Sequence, residues 1–242
     1  MPHIFGCWVN KYIDTYKKNY SINDVLTFTF FVSHETTAVS LSWCLWLLAQ
    51  HQDIQDALRA EVTPVFENLN MDDPVFRENP FELGFDKANI PSYEDINNLH
   101  LLNNVCRETS RLIPAVPITT RFTSKDMVFK NYFIPKSTVI FLPIIASHHN
   151  KDLWGEDAEE FRPSRWDEED ASKAGPYDYL PFLAGVRSCI GYRFANLELK
   201  TILSILLMKF QFFEKPGFVP AKKQRLTLRP SPNMTLLVKP LK

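Results

Sequence analysis

Glycine is scarce in this chain: seven in 242 residues, against seventeen prolines. Many of the prolines fall in the second half, which predicts rigid extended loops after an α-rich start. No flavin or nicotinamide fingerprint appears. Charge of one sign is also missing. The net charge is −1, so the chain carries no electrostatic footprint for nucleic acid. The four cysteines, Cys7, Cys44, Cys106 and Cys189, show no C-x-x-C spacing. That argues against a disulfide scaffold or a zinc site and suits a reducing compartment. The first residues, MPHIFGCWVNKYID, lack a basic flank followed by an apolar core, so they do not read as a signal peptide. There is no internal repeat, low-complexity tract or linker. The expectation is one domain over 1–242 with a sizeable core.

What is present reads as mainly α with small β-sheets. Residues 21–50 are rich in Phe, Leu, Val and Trp, without Gly or Pro. They predict one long helix, with Ser21 as N-cap and Asp24 favouring its start. Apolar nearly all round, it is a central buried helix or, over 25–49, a membrane span. His34 and Glu35 at its midpoint are costly in lipid, which favours the buried reading. Residues 51–68 have helical spacing, and 69–92 read as an irregular connection. Ser92-Tyr-Glu-Asp95 opens a further helix ending before Pro114. Residues 119–123, 127–133 and 138–142 read as short strands. Residues 151–181 form a long loop of the kind that usually binds something. A helix to about Met208 follows, then strands at 210–213, 226–228 and 234–238 in a small terminal sheet.

The most informative stretch is Phe182-Leu-Ala-Gly185-Val-Arg187-Ser-Cys189-Ile-Gly191. It sets one cysteine between two glycines just ahead of a helix. A thiolate there is favoured by the helix dipole and by free backbone N–H groups, as a protein needs to hold a haem iron through sulfur. Gly185 and Gly191 let the backbone pass a flat cofactor and take positive φ. Arg187 can meet a propionate, and Phe182 can cover the sulfur face against water. The plain alternative is a buried, inert cysteine. Five fixed residue types coincide by chance in on the order of one in 10⁴–10⁵ chains of this length, which decides against it. The stretch resembles the haem-binding loop of the cytochrome P-450 family, Phe-x-x-Gly-x-Arg-x-Cys-x-Gly. That resemblance implies Cys189 as the axial ligand of heme b (iron protoporphyrin IX).

Three further motifs precede it in the chain, and all four stand in the family's order. Glu108-Thr-Ser-Arg111 puts both charges on one helix face. Alone it is weak, since Glu159-Glu-Phe-Arg162 repeats it, and either could be a surface ion pair. Its place before Phe161-Arg-Pro163-Ser-Arg165-Trp166 resembles the family's Glu-x-x-Arg helix and following arginine loop. This implies a structural triad of Glu108, Arg111 and Arg165, with Ser164 standing where the family usually has Glu. Ser33-His34-Glu35-Thr36-Thr37 lies mid-helix. A hydroxyl bonding back to an i−4 carbonyl would bend the helix there and open a groove. The alternative is a satisfied polar patch. The segment resembles the family's oxygen-binding motif, with Val32 and Ser33 in place of smaller residues. On that resemblance Glu35 and Thr36 relay protons to dioxygen through water.

Arg121 stands where the family places a second propionate contact, and Ile113, Ala115, Val116 and Ile118 where it lines the substrate pocket. Plain strand core is the alternative for these four. His148-His149 lacks partners at metal spacing. The pair reads as structural, with a propionate contact from His148 as the other possibility. The likeness runs from about Ser21 onward and corresponds to the C-terminal half of the cytochrome P-450 fold, with the N-terminal half absent. It implies a monooxygenase acting on an apolar small molecule with dioxygen, electrons from an NADPH-dependent cytochrome P-450 reductase, and an endoplasmic reticulum membrane location for the full-length protein, with no anchor in this chain. A fragment unable to hold haem is the competing expectation.

Overall fold

The computed structural model describes residues 22–66, 91–167 and 175–241. The chain divides into two compact units, Met1–Glu35 and Thr36–Lys242. Cys7, the Ser21 cap and most of the connection expected at 69–92 lie outside the described residues.

Helix α1 (Ile22–Gln50) contains neither Gly nor Pro, so nothing in its backbone interrupts the ladder. Its buried residues Val39, Trp43 and Leu47, with Cys44 and Leu48 beside them, recur at helical spacing. Helix α2 (Gln52–Phe66) buries Gln55, Leu58, Val62 and Phe66 on one stripe. Where one helix was expected after Ser92 there are two. Helix α3 (Tyr93–Asn97) is held by a capping box, in which Asp95 N donates to Ser92 Oγ and Ser92 N donates to Asp95 Oδ2. Helix α4 (His100–Leu112) starts anew after an extended Leu99, which offers no side-chain cap. Glu61 of α2 supplies the cap instead. Its two carboxylate oxygens accept from Leu101 N and Leu102 N, each at 2.8 Å.

Strand β1 (Ile118–Phe122) pairs antiparallel with β4 (Val139–Pro143). The single strand expected over 127–133 is a hairpin of β2 (Met127–Phe129) and β3 (Tyr132–Ile134). Lys130, at φ 51, makes the turn between them. Helices α5 (Ile144–His148) and α6 (Lys151–Trp154) follow, then a 3-10 turn at Pro163–Asp167, so the expected long loop is partly helical. After a second 3-10 turn, Gly185–Arg187, comes α7 (Tyr192–Lys209). The chain closes with β5 (Phe210–Glu214) paired to β8 (Leu236–Pro240), and β6 (Ala221–Gln224) paired to β7 (Leu228–Ser231). These are two ribbons rather than one sheet, and the polar strand β6 has no apolar pattern to announce it.

The main core joins α1, α2, α4 and α7 through fully buried Leu48, Leu58, Leu102, Leu203 and Leu207. Each such leucine is worth about 1.5–3 kcal/mol relative to exposure. Two polar side chains tie this core to the terminal ribbons. Trp43 Nε1 donates to Leu228 O at 2.7 Å. Buried Gln55 donates to Leu48 O and Phe212 O and accepts from Phe212 N. Ile113 is core as well, only 1% exposed, which removes it from the expected pocket lining. Among the described residues no helix is long and apolar enough to cross a membrane, which counts against the spanning alternative for 25–49. The burial of Trp43, Cys44 and Leu48 gives the reason: this apolar face packs on protein.

Candidate functional site

Glu108 and Arg111 sit one turn apart near the end of α4, and both are fully buried. Arg111 Nε donates to Glu108 Oε2 at 2.9 Å and Nη2 to Oε1 at 2.8 Å, a bidentate pair. Arg165 Nε approaches Glu108 Oε1 at 3.3 Å, and Trp166 Nε1 donates to Oε2 at 3.1 Å. A buried carboxylate between two guanidiniums persists only if the remaining donors are also met. They are met mainly by backbone, with one contact from Arg165 Nη1 to Asp157 Oδ1 at 3.1 Å. Arg111 Nη1 donates to His148 O at 2.7 Å and Ala158 O at 2.6 Å. Arg165 Nη1 donates to Trp154 O at 2.7 Å and Nη2 to Asp157 O at 2.9 Å. The structure therefore brings Glu108, Arg111 and Arg165 into one cluster, with the carbonyls drawn from the last residue of α5, His148, and from the segment that follows it. The rival pattern does something else: Arg162 pairs with Asp157.

His148 extends this cluster toward the cysteine loop. Its ring is fully buried, with Nδ1 3.1 Å from Arg111 O and Nε2 accepting from Leu180 N at 2.8 Å. A backbone N–H must donate, so Nε2 is bare and Nδ1 carries the proton. Burial pushes His148 down to about 4, which keeps this neutral form. With both nitrogens on backbone atoms, the propionate contact considered for His148 is excluded. His149 is likewise spent, its Nε2 lying 2.8 Å from Leu112 O. Nothing in the sequence signals this bridge from the end of α4 to Leu180. Trp166 was equally missed, though its position directly after Arg165 was a hint.

Two residues beyond Leu180 the cysteine loop begins. Cys189 N donates to Phe182 O at 2.8 Å, and Ser188 N to Gly185 O at 3.1 Å. The turn is set by two left-handed residues, Leu183 at φ 61 and Gly185 at φ 69. Gly191 is different: φ is −92, and it is the N-cap of α7. The positive φ expected there falls on Leu183, because the chain reverses before the cysteine rather than after it. The Phe182 ring packs against Tyr192, centroids 6.3 Å apart.

Cys189 is exposed, while Cys44 and Cys106 are buried. Burial pushes the Cys44 thiol up to about 12 and Cys106 well above its usual range, so neither offers a ready thiolate. A Cβ added at Gly185 or Gly191 would meet no atom within 4 Å, and Val186 and Ile190 are fully exposed. The loop thus presents a sulfur, two apolar side chains, a bare backbone face and exposed Arg187 to open space. A soft sulfur donor, apolar walls and a cation suit an iron porphyrin with its propionates. Arg121 is half-buried on β1, where Nη1 donates to Thr120 O at 2.8 Å and Thr119 Oγ1 at 3.2 Å. Glu35 and Thr36 are both half-buried on α1. Helix α1 continues through 33–37. A turn further on, Ser40 Oγ donates to Thr36 O at 3.0 Å, a back-bond of the kind expected in this stretch.

A model of the cytochrome P-450 family matches residues 17–238. The chain is 36% identical over 242 residues to a cytokinin hydroxylase of Arabidopsis thaliana, an alignment covering 98% of this chain and 43% of that protein. It is 34% identical over 211 residues to cytochrome P-450 714A2 of the same plant, covering 86% of this chain and 36% of that protein. With cytochrome P-450 3A12 of Canis lupus familiaris it shares 35% over 199 residues, covering 82% of this chain and 34% of that protein. The chain belongs to the cytochrome P-450 family. It spans less than half the length of these relatives.

Proposed function

We propose that this chain is the haem-binding C-terminal part of a monooxygenase that inserts one oxygen atom from dioxygen into an apolar small molecule. The observation that carries the reading is the exposed Cys189 on a loop whose approach is pinned through His148 to a buried charge cluster. In this reading 1–242 is a single partial domain, completed by an N-terminal half. Iron protoporphyrin IX, when bound, supplies the redox and dioxygen chemistry. Cys189 Sγ holds the iron. Arg187 and Arg121 meet the propionates, each through charge-assisted hydrogen bonds. Gly185 and Gly191 leave the porphyrin face clear, and Phe182 keeps water from the sulfur. Glu35 and Thr36 move protons through water toward the site. Glu108, Arg111 and Arg165 fix the loop without touching substrate. Electrons come from a separate NADPH-dependent cytochrome P-450 reductase, and the longer protein resides at the endoplasmic reticulum membrane. One relative is named for hydroxylating a cytokinin; hydroxylation is the reaction carried over here, with the substrate class left at apolar small molecules.

The test is optical. The chain is expressed with added haem, reduced and exposed to carbon monoxide. A strongly red-shifted Soret band that disappears in Cys189→Ser supports thiolate ligation. The same spectrum in both proteins overturns it. A second reading is favoured by the chain's spanning only 43% of its cytokinin hydroxylase relative: a fragment that keeps the loop but does not retain haem. It predicts soluble, helical protein with no Soret band at all.

A further inference from the structure

The carbonyls that Arg111 and Arg165 hold lie between His148 and Glu160, well short of the cysteine loop. The bond that reaches further runs from Leu180 N to His148 Nε2, at 2.8 Å. Tyr179 packs beside it. Its ring stacks on the His148 ring, centroids 5.5 Å apart, and its hydroxyl donates to Arg107 O at 3.2 Å. The imidazole is fully buried, so water takes its place as acceptor only if this packing opens. The Leu180 amide therefore depends on one nitrogen.

Between Leu180 and the sulfur the chain has little freedom. Pro181 fixes its own φ and restricts the conformation of Leu180. Leu180 O accepts from Leu183 N at 3.1 Å, Leu183 makes the left-handed turn, and Phe182 O accepts from Cys189 N at 2.8 Å. A displacement at Leu180 is passed on to Cys189 rather than absorbed. In a positioned site a misplacement of about 1 Å can cost about a hundredfold in rate.

We propose that His148 is a positioning residue for the iron–sulfur bond: as a neutral acceptor for the Leu180 amide, it sets where Cys189 presents its sulfur. This rests on the thiolate reading above and divides the labour within it. Glu108, Arg111 and Arg165 hold the segment up to Glu160, so their loss costs folding stability. His148 Nε2 decides what share of bound haem has sulfur as its ligand. Only the neutral ring can accept, and burial holds His148 at about 4, so that form prevails at neutral pH. Two substitutions separate the halves of the bridge. Asn places its amide where His has Nδ1 and can still donate to Arg111 O, but it falls short of Leu180. Gln is one methylene longer, and its oxygen can replace Nε2 as the acceptor.

Two readouts are taken on the whole chain at neutral pH. One is amide hydrogen exchange at Leu180 without haem. The other is the Soret spectrum of the reduced carbon monoxide adduct with added haem. In the parent the Leu180 amide is protected and the red-shifted band dominates. In His148→Asn exchange at Leu180 quickens about five- to tenfold, and the ratio of red-shifted to unshifted band falls by a like factor. The amides of α7 exchange as in the parent. His148→Gln stays within about twofold of the parent in both readouts. Three results overturn the proposal: a parent whose Leu180 amide exchanges freely, a parental band ratio in His148→Asn, or a His148→Gln as impaired as His148→Asn. Should His148→Asn lose the helical circular dichroism of the parent, His148→Gln decides. A band kept with an unprotected Leu180 amide, or lost with a protected one, overturns the proposal. A parent with a protected Leu180 amide and no red-shifted band overturns the haem reading and this proposal with it, so the two failures are told apart.

Discussion

His148 does at the residue scale what a longer network would otherwise have to do. One neutral ring joins the Arg111 carbonyl to the Leu180 amide, so the end of α4 and the approach to Cys189 share a single side chain. Protonation would put a second N–H where Leu180 already donates. Burial holds His148 at about 4, below the ordinary value near 6.5. The unfolded chain therefore binds the extra proton first as pH falls. The stabilising contribution is complete above about 6.5, declines through the window between, and is gone below about 4. Its size is about 3 kcal/mol. Urea denaturation at pH 7 and pH 4.5 should show this loss in the parent and a much smaller one in His148→Gln. Glu108 carries a different penalty. Glu108→Gln leaves buried Arg111 without its carboxylate, and Arg165 with only that of Asp157, and should cost about 3–5 kcal/mol. Glu156→Gln, at the exposed Lys151–Glu156 pair, should cost under about 1 kcal/mol. Equal denaturation midpoints for the two variants would refute the cluster's role.

At the scale of elements, α4 begins where its own sequence gives no signal. Leu99 and His100 supply no N-cap, and the apolar pattern runs on from α3 without pause. The break is made by Glu61, which reaches from α2 to the amides of Leu101 and Leu102. Glu61→Ala should destabilise the protein by about 1–2 kcal/mol, read from thermal melts, with Glu61→Gln recovering part of it. Wild-type stability in Glu61→Ala would mean that water caps α4 equally well. The hairpin at 127–134 and the strand β6 escaped sequence reading for related reasons. Lys130 adopts a left-handed turn without a glycine, and Ala221–Gln224, which pairs with β7, has no alternation of apolar and polar residues.

At the scale of the whole molecule, the proposed haem site would link ligand binding to folding through the loop. Haem that binds only the folded chain raises its stability by mass action, about 2.7 kcal/mol at a hundredfold excess over Kd. A thermal midpoint that rises with added haem in the parent and not in Cys189→Ser is the expected result; an equal rise in both would place the haem elsewhere. The order of motifs, the lone cysteine between glycines and the Glu-x-x-Arg spacing were legible in the chain because each depends on neighbours within a few residues. So were α1, a long apolar run without Gly or Pro, and the helix after the cysteine loop, since both are local features. Folding alone decided that Glu108–Arg111 rather than Glu159–Arg162 forms the buried cluster, since the choice rests on which carbonyls come to surround a guanidinium. It also decided that Ile113 is core, that His148 is a bridge and that Leu183 takes the turn assigned to Gly191. Those are properties of residues brought together from 37 and 32 positions apart, or of a backbone reversal, and no local pattern encodes them.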